Sequence, residues 1–351
     1  MEAWASSLIV GTLLAVSLAW LASLINARNI KRETGEIDSA SGRKERGAFG
    51  YENFYGFSRD PFDSQPDPRL IFLTKNVREA WNSILSGITQ RKRFLLLTGE
   101  RGIGKTTLIS LIYLYLATNG QQVKVVPPAD SPRKIEEVLP PLLGCLGLSP
   151  MENSKGQMLF QLEEALAKGT AREETVALII DGAQNMRRET LEDIRLLANP
   201  TPRIPNTLQE IFVGDPQFEE NLRSLDLASL NQRIEARCRL LPFTPEESLG
   251  YIEHRLNIVG STTSKVFTPR AVFLIAQTAE GNPGTLNRIC QEVLWMGYSR
   301  LKKPIDPANV REALGNLHME KECSWPFSPK TLPWIKKAWE IPKISFRYTH
   351  R

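Results

Sequence analysis

Residues 94–116 read FLLLT-GERGIGKTT-LISLIYLYL: an apolar run, a glycine-rich turn and a second apolar run. The first run predicts a buried strand and the last predicts a buried helix, while the turn matches the G-x-x-x-x-G-K-[ST] pattern. In this strand–turn–helix setting, backbone N–H groups at the helix N-terminus point at phosphate oxygens. The stretch therefore predicts an α/β domain that binds a nucleotide phosphate.

The predicted nucleotide contacts fall within this turn and the strand end that should face it. We expect Lys105 to bind the β- and γ-phosphates and the Thr106 hydroxyl to ligate Mg²⁺. Residues 176–180 predict another buried strand, which ends in Asp181, and a carboxylate there is a suitable second ligand for Mg²⁺. The sequence thus predicts ATP and Mg²⁺ as cofactors. The phosphate-binding residues would be Gly99, Glu100, Arg101, Gly102, Ile103, Gly104, Lys105, Thr106 and Thr107.

Outward from this stretch, short apolar runs alternate with helical patterns, which is typical of a parallel sheet covered by helices on both faces. The predicted strands are residues 94–98, 123–126, 176–180 and 211–213, with a weaker one at 240–241. After Pro242 the pattern is helical only, and Thr244 with Glu247 has the spacing of a capping box. We therefore predict an α/β domain over residues 51–243 and an all-helical lid domain over residues 244–317.

The N-terminal region carries the strongest apolar signal of the chain. Ala3–Ile25 contains 23 residues without a charge, which is enough for one transmembrane helix. A cleaved signal peptide is the competing interpretation, but Glu2 is the only side-chain charge before the run, whereas signal peptides begin with basic residues. Basic residues from Arg28 onward place the following chain in the cytoplasm. The prediction is an anchor at 1–26 in a bacterial inner membrane, followed by a polar linker at 27–50.

Composition limits the remaining classes of function. With 42% hydrophobic and 24% charged residues among 351, the chain is globular rather than disordered. Four scattered cysteines and three scattered histidines give no zinc-site or disulfide spacing. The net charge of the chain is +5, and the segment from Lys321 to the end alone carries +5, so the other 320 residues have no net charge. Nucleic acid is therefore not an expected partner.

The C-terminal tail, residues 318–351, combines these basic residues with Trp325, Trp334 and Trp339. Such a mixture suits a membrane interface or an aromatic docking peptide. An arm folded against the lid domain and a stacking platform for single-stranded nucleic acid are the other interpretations, and the sequence does not decide among them.

Several further motifs occur in a characteristic order: FYGF at 54–57, DPF at 60–62, PDPR at 66–69, DGAQN at 181–185, VGDP at 213–216 and NQRIEAR at 231–237. With the phosphate loop, defined here as Gly99–Thr106, they make residues 51–317 resemble the AAA+ ATPases of the general secretion pathway protein A-like group. Relatives in that group serve secretion, pilus and exopolysaccharide systems, and the wider kin include transposition regulators.

The resemblance implies further site residues. Arg233 corresponds to an arginine finger that would contact the γ-phosphate of a neighbouring subunit, with Arg237 as the substitute, and this implies a homo-oligomeric ring or filament. A surface salt bridge is the alternative role for either arginine. The family usually has another arginine after Pro283, where this chain has Gly284, and Arg288 is the candidate replacement.

Two positions near the predicted phosphate site also depart from the family pattern. Gly182 replaces the glutamate that orients the attacking water, and Asp215 replaces a polar amide. Asp215 is a candidate for the missing carboxylate. We expect Gly182→Glu to raise turnover at least ~10-fold if the lost glutamate limits the rate.

These features together predict a membrane-anchored AAA+ ATP-binding protein, a slow ATPase that assists an envelope secretion, pilus or exopolysaccharide export system. One alternative is a scaffold of such a machine that senses ATP without hydrolysing it, which Gly182 favours. A second alternative is a DNA-associated ATPase similar to the transposition regulators.

Overall fold

The computed structural model describes residues 50–65, 67, 70–119, 122–150, 154–170, 174–197, 199, 207–224 and 227–319. The predicted anchor and linker, and the tail from residue 320, lie outside this part of the chain. Within the described residues, no helix combines the length and the apolar character needed to cross a bilayer.

The described residues form a parallel six-stranded sheet in the order β2-β4-β5-β1-β6, with β3 also paired to β4. Its strands are β1 Phe94–Thr98, β2 Val123–Val125, β3 Ala129–Asp130, β4 Thr175–Asp181, β5 Leu208–Gly214 and β6 Ala236–Arg239. In parallel sheets the strand carboxyl ends share one edge, where ligands bind. The loops after β1, β3, β4 and β5 therefore meet at that edge.

Helices cover both faces of the sheet, as the sequence predicts. The first helix of the described residues, α1 Tyr51–Tyr55, belongs to the second unit described below. The helices of the α/β unit are α2 Lys75–Thr89, α3 Lys105–Asn119, α4 Leu139–Cys145, α5 Lys155–Thr170, α6 Arg188–Leu197, α7 Pro216–Asn221 and α8 Ala228–Arg233. One apolar cluster joins α2 and α3 to the sheet and another joins α4, α5 and α6 to it. Successive side chains of a buried strand point into one cluster and then the other. Both faces of the strand are therefore apolar, which explains its unbroken apolar sequence.

Three of the elements that differ from the sequence prediction show why the pattern misses them. The last strand is β6 rather than residues 240–241, because an edge strand exposes alternate side chains such as Arg237 and needs no apolar run. The two-residue strand β3 is too short to leave a periodic signal. Helix α5 was not predicted, although Met158, Leu162 and Leu166 repeat at helical spacing and are buried.

A second compact unit contains Tyr51–Phe62, Phe243–Gly281 and the described chain from Leu286. Its helices include α9 Pro245–Ile258, α10 Thr263–Val266, α11 Pro269–Ala279, α12 Pro283–Ser299 from Leu286 onward, and α13 Pro307–Asn316. The predicted capping box at the start of α9 is confirmed, since Glu247 N–H donates to Thr244 Oγ1 and Thr244 N–H donates to Glu247 Oε2.

The aromatic segment at the start of the folded chain belongs to this second unit, whereas the sequence prediction placed it in the α/β domain. The Tyr51 and Trp295 rings lie edge to face with centroids 5.3 Å apart. The Tyr55 hydroxyl donates to the Leu294 carbonyl oxygen at 3.3 Å. Aromatic packing on α12 thus assigns α1 to the helical unit.

Candidate functional site

The phosphate loop leaves the carboxyl end of β1 and ends where α3 begins at Lys105. The Lys105 ammonium donates to the carbonyl oxygens of Gly99, at 2.7 Å, and Glu100, at 2.9 Å. Lys105 is thus held across the mouth of the loop. An ammonium group has three N–H donors, and these two bonds use two of them. The remaining donor is available to a phosphate oxygen.

Partial burial makes the loop favour an anion. Desolvation lowers the pKa of Lys105, and the neighbouring carboxylates of Asp181 and Asp215 raise it without cancelling the effect. Arg101 lowers the pKa further, whereas Glu100 raises it. A charged lysine that has lost hydration gains from an added negative ligand. The same electrostatics place both strand-end aspartates within range of Lys105.

Thr106 and Asp181, the two residues expected to ligate Mg²⁺, are in direct contact. The Thr106 hydroxyl donates to Asp181 Oδ2 at 2.6 Å, while the Gly182 N–H donates to Asp181 Oδ1 at 2.9 Å. Two hard oxygen donors at a nucleotide site fit Mg²⁺, which usually binds through few protein ligands together with phosphate and water. In the described part of the chain no group of three His, Cys, Asp or Glu could hold a metal alone.

Position 182 has a backbone that explains its glycine. Gly182 has φ +71° and ψ +30°, in the left-handed region. A Cβ added there would lie 2.2 Å from Ser131 Oγ and 3.2 Å from Asp130 Oδ1. The space around a Cβ at position 182 is therefore occupied by Asp130, which ends β3, and by Ser131, which follows it. Sequence reasoning missed Asp130 and Ser131, since only the pairing of β3 with β4 brings them to this position.

Asp215 follows β5 and caps the short helix α7. Its carboxylate oxygen Oδ1 accepts from the Phe218 N–H at 3.2 Å, and its own N–H donates to Gln184 Oε1 at 3.2 Å. Strands β4 and β5 are adjacent, as required for Asp215 to lie near Asp181. The structure thus gives Asp215 a capping role beside its electrostatic influence on Lys105.

Comparison with known proteins agrees with this geometry. Residues 88–222 match the family described as AAA domain. General secretion pathway protein A from Aeromonas hydrophila is 30% identical over 252 residues, which cover 71% of this chain and 45% of that protein. The chain belongs to the AAA+ proteins that resemble general secretion pathway protein A. It spans less than half the length of this relative.

Solved structures share the fold of this AAA+ chain. The Aeropyrum pernix ORC2 protein, in ADPNP-ADP complexes, superposes with a TM-score of 0.56 at 19% identity, covering 74% of this chain and 72% of its own. Cdc6p from Pyrobaculum aerophilum gives 0.60 at 16% identity, covering 73% and 70%. Drosophila ORC bound to DNA gives 0.59 at 16% identity, covering 80% and 70%. At these identities the likeness shows the fold alone.

The arginines that the AAA+ resemblance singles out have partners within the α/β unit. Arg233, at the end of α8, donates to Asn199 Oδ1. Arg237, on β6, donates to the carbonyl oxygen of Asn231 at 2.8 Å and to its Oδ1 at 2.6 Å. Their action on a neighbouring subunit stays a prediction. So does the role of Arg288, which is an exposed residue of α12 in the second unit.

The segment Asn282–Thr285, which belongs to the α/β unit, contacts the phosphate loop directly. Asn282 Nδ2 donates to the Arg101 carbonyl oxygen at 2.8 Å, and the Gly284 N–H donates to the Gly102 carbonyl oxygen at 2.9 Å. A Cβ at Gly284 would lie 3.0 Å from Gly102 Cα. Gly284 therefore permits close backbone approach where the AAA+ pattern usually has arginine.

Proposed function

We propose that this chain binds ATP with Mg²⁺ at the phosphate loop and hydrolyses it slowly to ADP and phosphate. The observation that carries this function is the 2.6 Å contact between Thr106 and Asp181 directly beside Lys105. Lys105 and the loop amides would bind the phosphates, and Thr106 and Asp181 would hold the metal. Bound Mg²⁺ supplies charge neutralisation on the phosphate oxygens.

The test of this function measures ATP affinity and phosphate release on the full chain with Mg²⁺. Lys105→Ala should weaken ATP binding by at least ~10²-fold, because charged hydrogen bonds to phosphate are among the strongest in proteins. Lys168→Ala is the matched control, since Lys168 is an exposed lysine on α5. Unchanged affinity in the Lys105 variant would exclude the phosphate loop as the binding site.

A second candidate is an ATP-sensing scaffold without turnover, and the glycine at position 182 favours it. Loss of a water-orienting group lowers hydrolysis but leaves the phosphate contacts in place. Tight ATP binding without phosphate release, measured in the presence of Mg²⁺ over several hours, would support the scaffold. Phosphate release that disappears in Lys105→Ala would support the enzyme.

The cellular setting is also a proposal: a protein of the inner membrane, with its AAA+ part in the cytoplasm, that assists an envelope secretion, pilus or export system. The identity to general secretion pathway protein A and the uncharged run Ala3–Ile25 support it. Protease added outside intact cells should spare the chain after Arg28, and removing residues 1–26 should release the protein from membranes. Recovery of the intact chain in the soluble fraction at low salt would contradict the anchor.

We further propose that copies of the chain assemble into a ring or filament through Arg233. In that case Arg233→Ala lowers phosphate release while ATP affinity stays the same, because an arginine finger acts on the transferred phosphate of the neighbour. Arg237→Ala tests the substitute. Sedimentation with and without ATP measures the assembly itself, and a monomer under both conditions would contradict it.

A further inference from the structure

The space that a side chain at position 182 would need is already filled from the neighbouring strand. Position 182 is where the family resemblance leads us to expect a water-orienting glutamate. A Cβ built on Gly182 would lie 3.2 Å from Asp130 Oδ1. In a glutamate, the carboxylate oxygens are three covalent bonds from Cβ, so they lie at a similar distance from it. Asp130 Oδ1 therefore lies about as close to that Cβ as the carboxylate oxygens of a glutamate at position 182 would.

The position of Asp130 is fixed by backbone pairing. Strands β3 and β4 are parallel, and Asp130 is in register with Asp181. The Ser131 N–H donates to the Asp181 carbonyl oxygen at 2.8 Å, which extends this pairing past the end of β3. The carboxylate of Asp130 is thus carried to the same edge of the sheet as the predicted metal ligand.

Ser131 links Asp130 to the loop after β4. Its hydroxyl lies 3.0 Å from Asp130 Oδ1 and 3.2 Å from the Gly182 carbonyl oxygen, and it accepts from Asn185 Nδ2 at 3.3 Å. Asp130 itself is exposed to solvent, so a water molecule can approach its carboxylate. The arrangement holds a charged acceptor in place and leaves it accessible.

We propose that Asp130 is a catalytic residue, the carboxylate that orients the water attacking the γ-phosphate of ATP; this rests on the proposed ATPase function. The water oxygen forms a bond to the γ-phosphorus as the bond from that phosphorus to the β,γ-bridging oxygen breaks, and the electron pair leaves with ADP. Asp130 accepts the proton of the water and passes it to solvent, so the products are ADP and inorganic phosphate.

The other two aspartates at this edge of the sheet, Asp181 and Asp215, accept hydrogen bonds from other groups. Both oxygens of Asp181 already accept hydrogen bonds, from Thr106 and from the Gly182 N–H. Asp215 accepts the bond that caps α7. Apart from its neighbours along the chain, the residues nearest to a Cβ at position 182 are Ser131 and Asp130.

The experiment is single-turnover hydrolysis of radiolabelled Mg-ATP by an excess of the full chain, with ATP affinity measured in parallel. Asp130→Asn should slow the chemical step by about 10²-fold, the usual contribution of a positioned base, while ATP affinity stays within about 3-fold. Asp130→Glu retains the carboxylate and should keep about a tenth or more of the rate. Asp193→Asn is the matched control, since Asp193 pairs with Lys155 on α5, outside the site.

Each outcome decides the proposal. A slow Asn variant with an active Glu variant and intact binding supports it. An unchanged rate in Asp130→Asn overturns it, and so does equal loss in the Asn and Glu variants, which indicates a structural role. If the wild type binds ATP without hydrolysing it, the catalytic role of Asp130 is overturned but the proposed nucleotide binding is not. If the wild type does not bind ATP, the proposed function is overturned as well. If the Asn variant does not fold, Asp130→Ser replaces it.

Discussion

The nucleotide site has a loop side, Gly99–Thr107, and an acidic side made of the carboxyl ends of β3, β4 and β5. The loop side is one contiguous stretch, in which Lys105 donates to the backbone carbonyl oxygens of Gly99 and Glu100. The acidic side collects Asp130, Asp181 and Asp215 from three strands that are far apart in sequence. Phosphate binding needs one fixed backbone path, whereas orienting a water needs only a carboxylate in the right volume. The loop side therefore depends on one contiguous motif. On the acidic side, a carboxylate from β3 can take the role of one that would otherwise follow β4.

The largest expected effect comes from filling the glycine of the acidic side. Gly182→Ala should lower the free energy of unfolding by ~2–5 kcal/mol, the sum of left-handed strain and of overpacking against Ser131. Gly147→Ala is the matched control, because Gly147 has φ +79° but no atom within 4 Å of an added Cβ. It should lose only ~1–2 kcal/mol. Urea unfolding of the two variants measures the difference.

This result bears directly on the glutamate expected from sequence. Gly182→Glu introduces the same Cβ. If Asp130 orients the water, we expect this variant to be destabilised without gaining activity, in place of the at least ~10-fold faster turnover that the sequence alone predicts. Adding Ser131→Gly removes the hydroxyl 2.2 Å from that Cβ and should recover part of the stability. Equal losses in Gly182→Ala and Gly147→Ala would mean that Ser131 yields easily, and the original expectation would stand.

A carboxyl group inside the sheet contrasts with the aspartates of the acidic side. Glu210, midway along β5, is fully buried, and neither carboxylate oxygen has a hydrogen-bond partner among the described residues. Burial raises its pKa well above the ordinary value, against a weaker opposing influence of Arg195. Burial therefore favours the protonated acid in the folded state. Stability is fully present below the unfolded pKa near 4.5 and is lost as pH rises toward the raised folded value.

Glu210→Gln should therefore raise the free energy of unfolding by ~1–3 kcal/mol at pH 8, because glutamine removes the cost of protonating a buried carboxyl, about 1.4 kcal/mol for each unit of pKa shift, and by little at pH 4. Glu220→Gln, at an exposed position on α7, is the control and should show no such pH dependence. Urea unfolding between pH 4 and pH 8 checks both variants. A gain for Glu210→Gln that is the same at every pH would show that Glu210 is not protonated in the folded state.

Sequence reasoning works best where spacing along the chain fixes geometry. Lys105 and Thr106 follow from one motif, and Asp181 follows from a buried strand that ends in an acid; the structure brings Thr106 and Asp181 into contact. Asp130 could not be found this way, because β3 has two residues and its pairing with β4 depends on the whole sheet. Gly182 was recognised as a departure, but its cause, a neighbouring side chain, is a tertiary contact.

The third prediction distinguishes the two roles considered for Asp215. Asp215→Ala should lower the free energy of unfolding by ~1 kcal/mol because the N-cap of α7 is lost, whereas Asp215→Asn keeps the cap and the stability. Phosphate release by Asp215→Asn should stay near the wild-type rate, since Asp130 is the proposed base. Loss of most activity in Asp215→Asn with intact ATP binding would instead assign the missing carboxylate to β5.

The smallest expected effect sharpens the loop side. Asn282 makes two kinds of contact: its Oδ1 accepts from the N–H groups of Gly284, at 3.0 Å, and Thr285, at 3.2 Å, and its Nδ2 donates to the Arg101 carbonyl oxygen. The first kind caps α12, and the second steadies the phosphate loop. Asn282→Ala removes both and should weaken ATP binding by ~3–10-fold, which corresponds to one net hydrogen bond.

Asn282→Ser separates these contacts, because serine is also a good N-cap residue but its hydroxyl is too short to replace the amide at Arg101. If the loop contact matters, the Ser variant should match the Ala variant in ATP affinity while it unfolds at nearly the wild-type temperature. If capping alone matters, the Ser variant should bind ATP like the wild type. Because the loop side relies on backbone placement, we expect the first result: a side chain outside the motif then contributes to affinity by fixing a carbonyl rather than by touching the nucleotide.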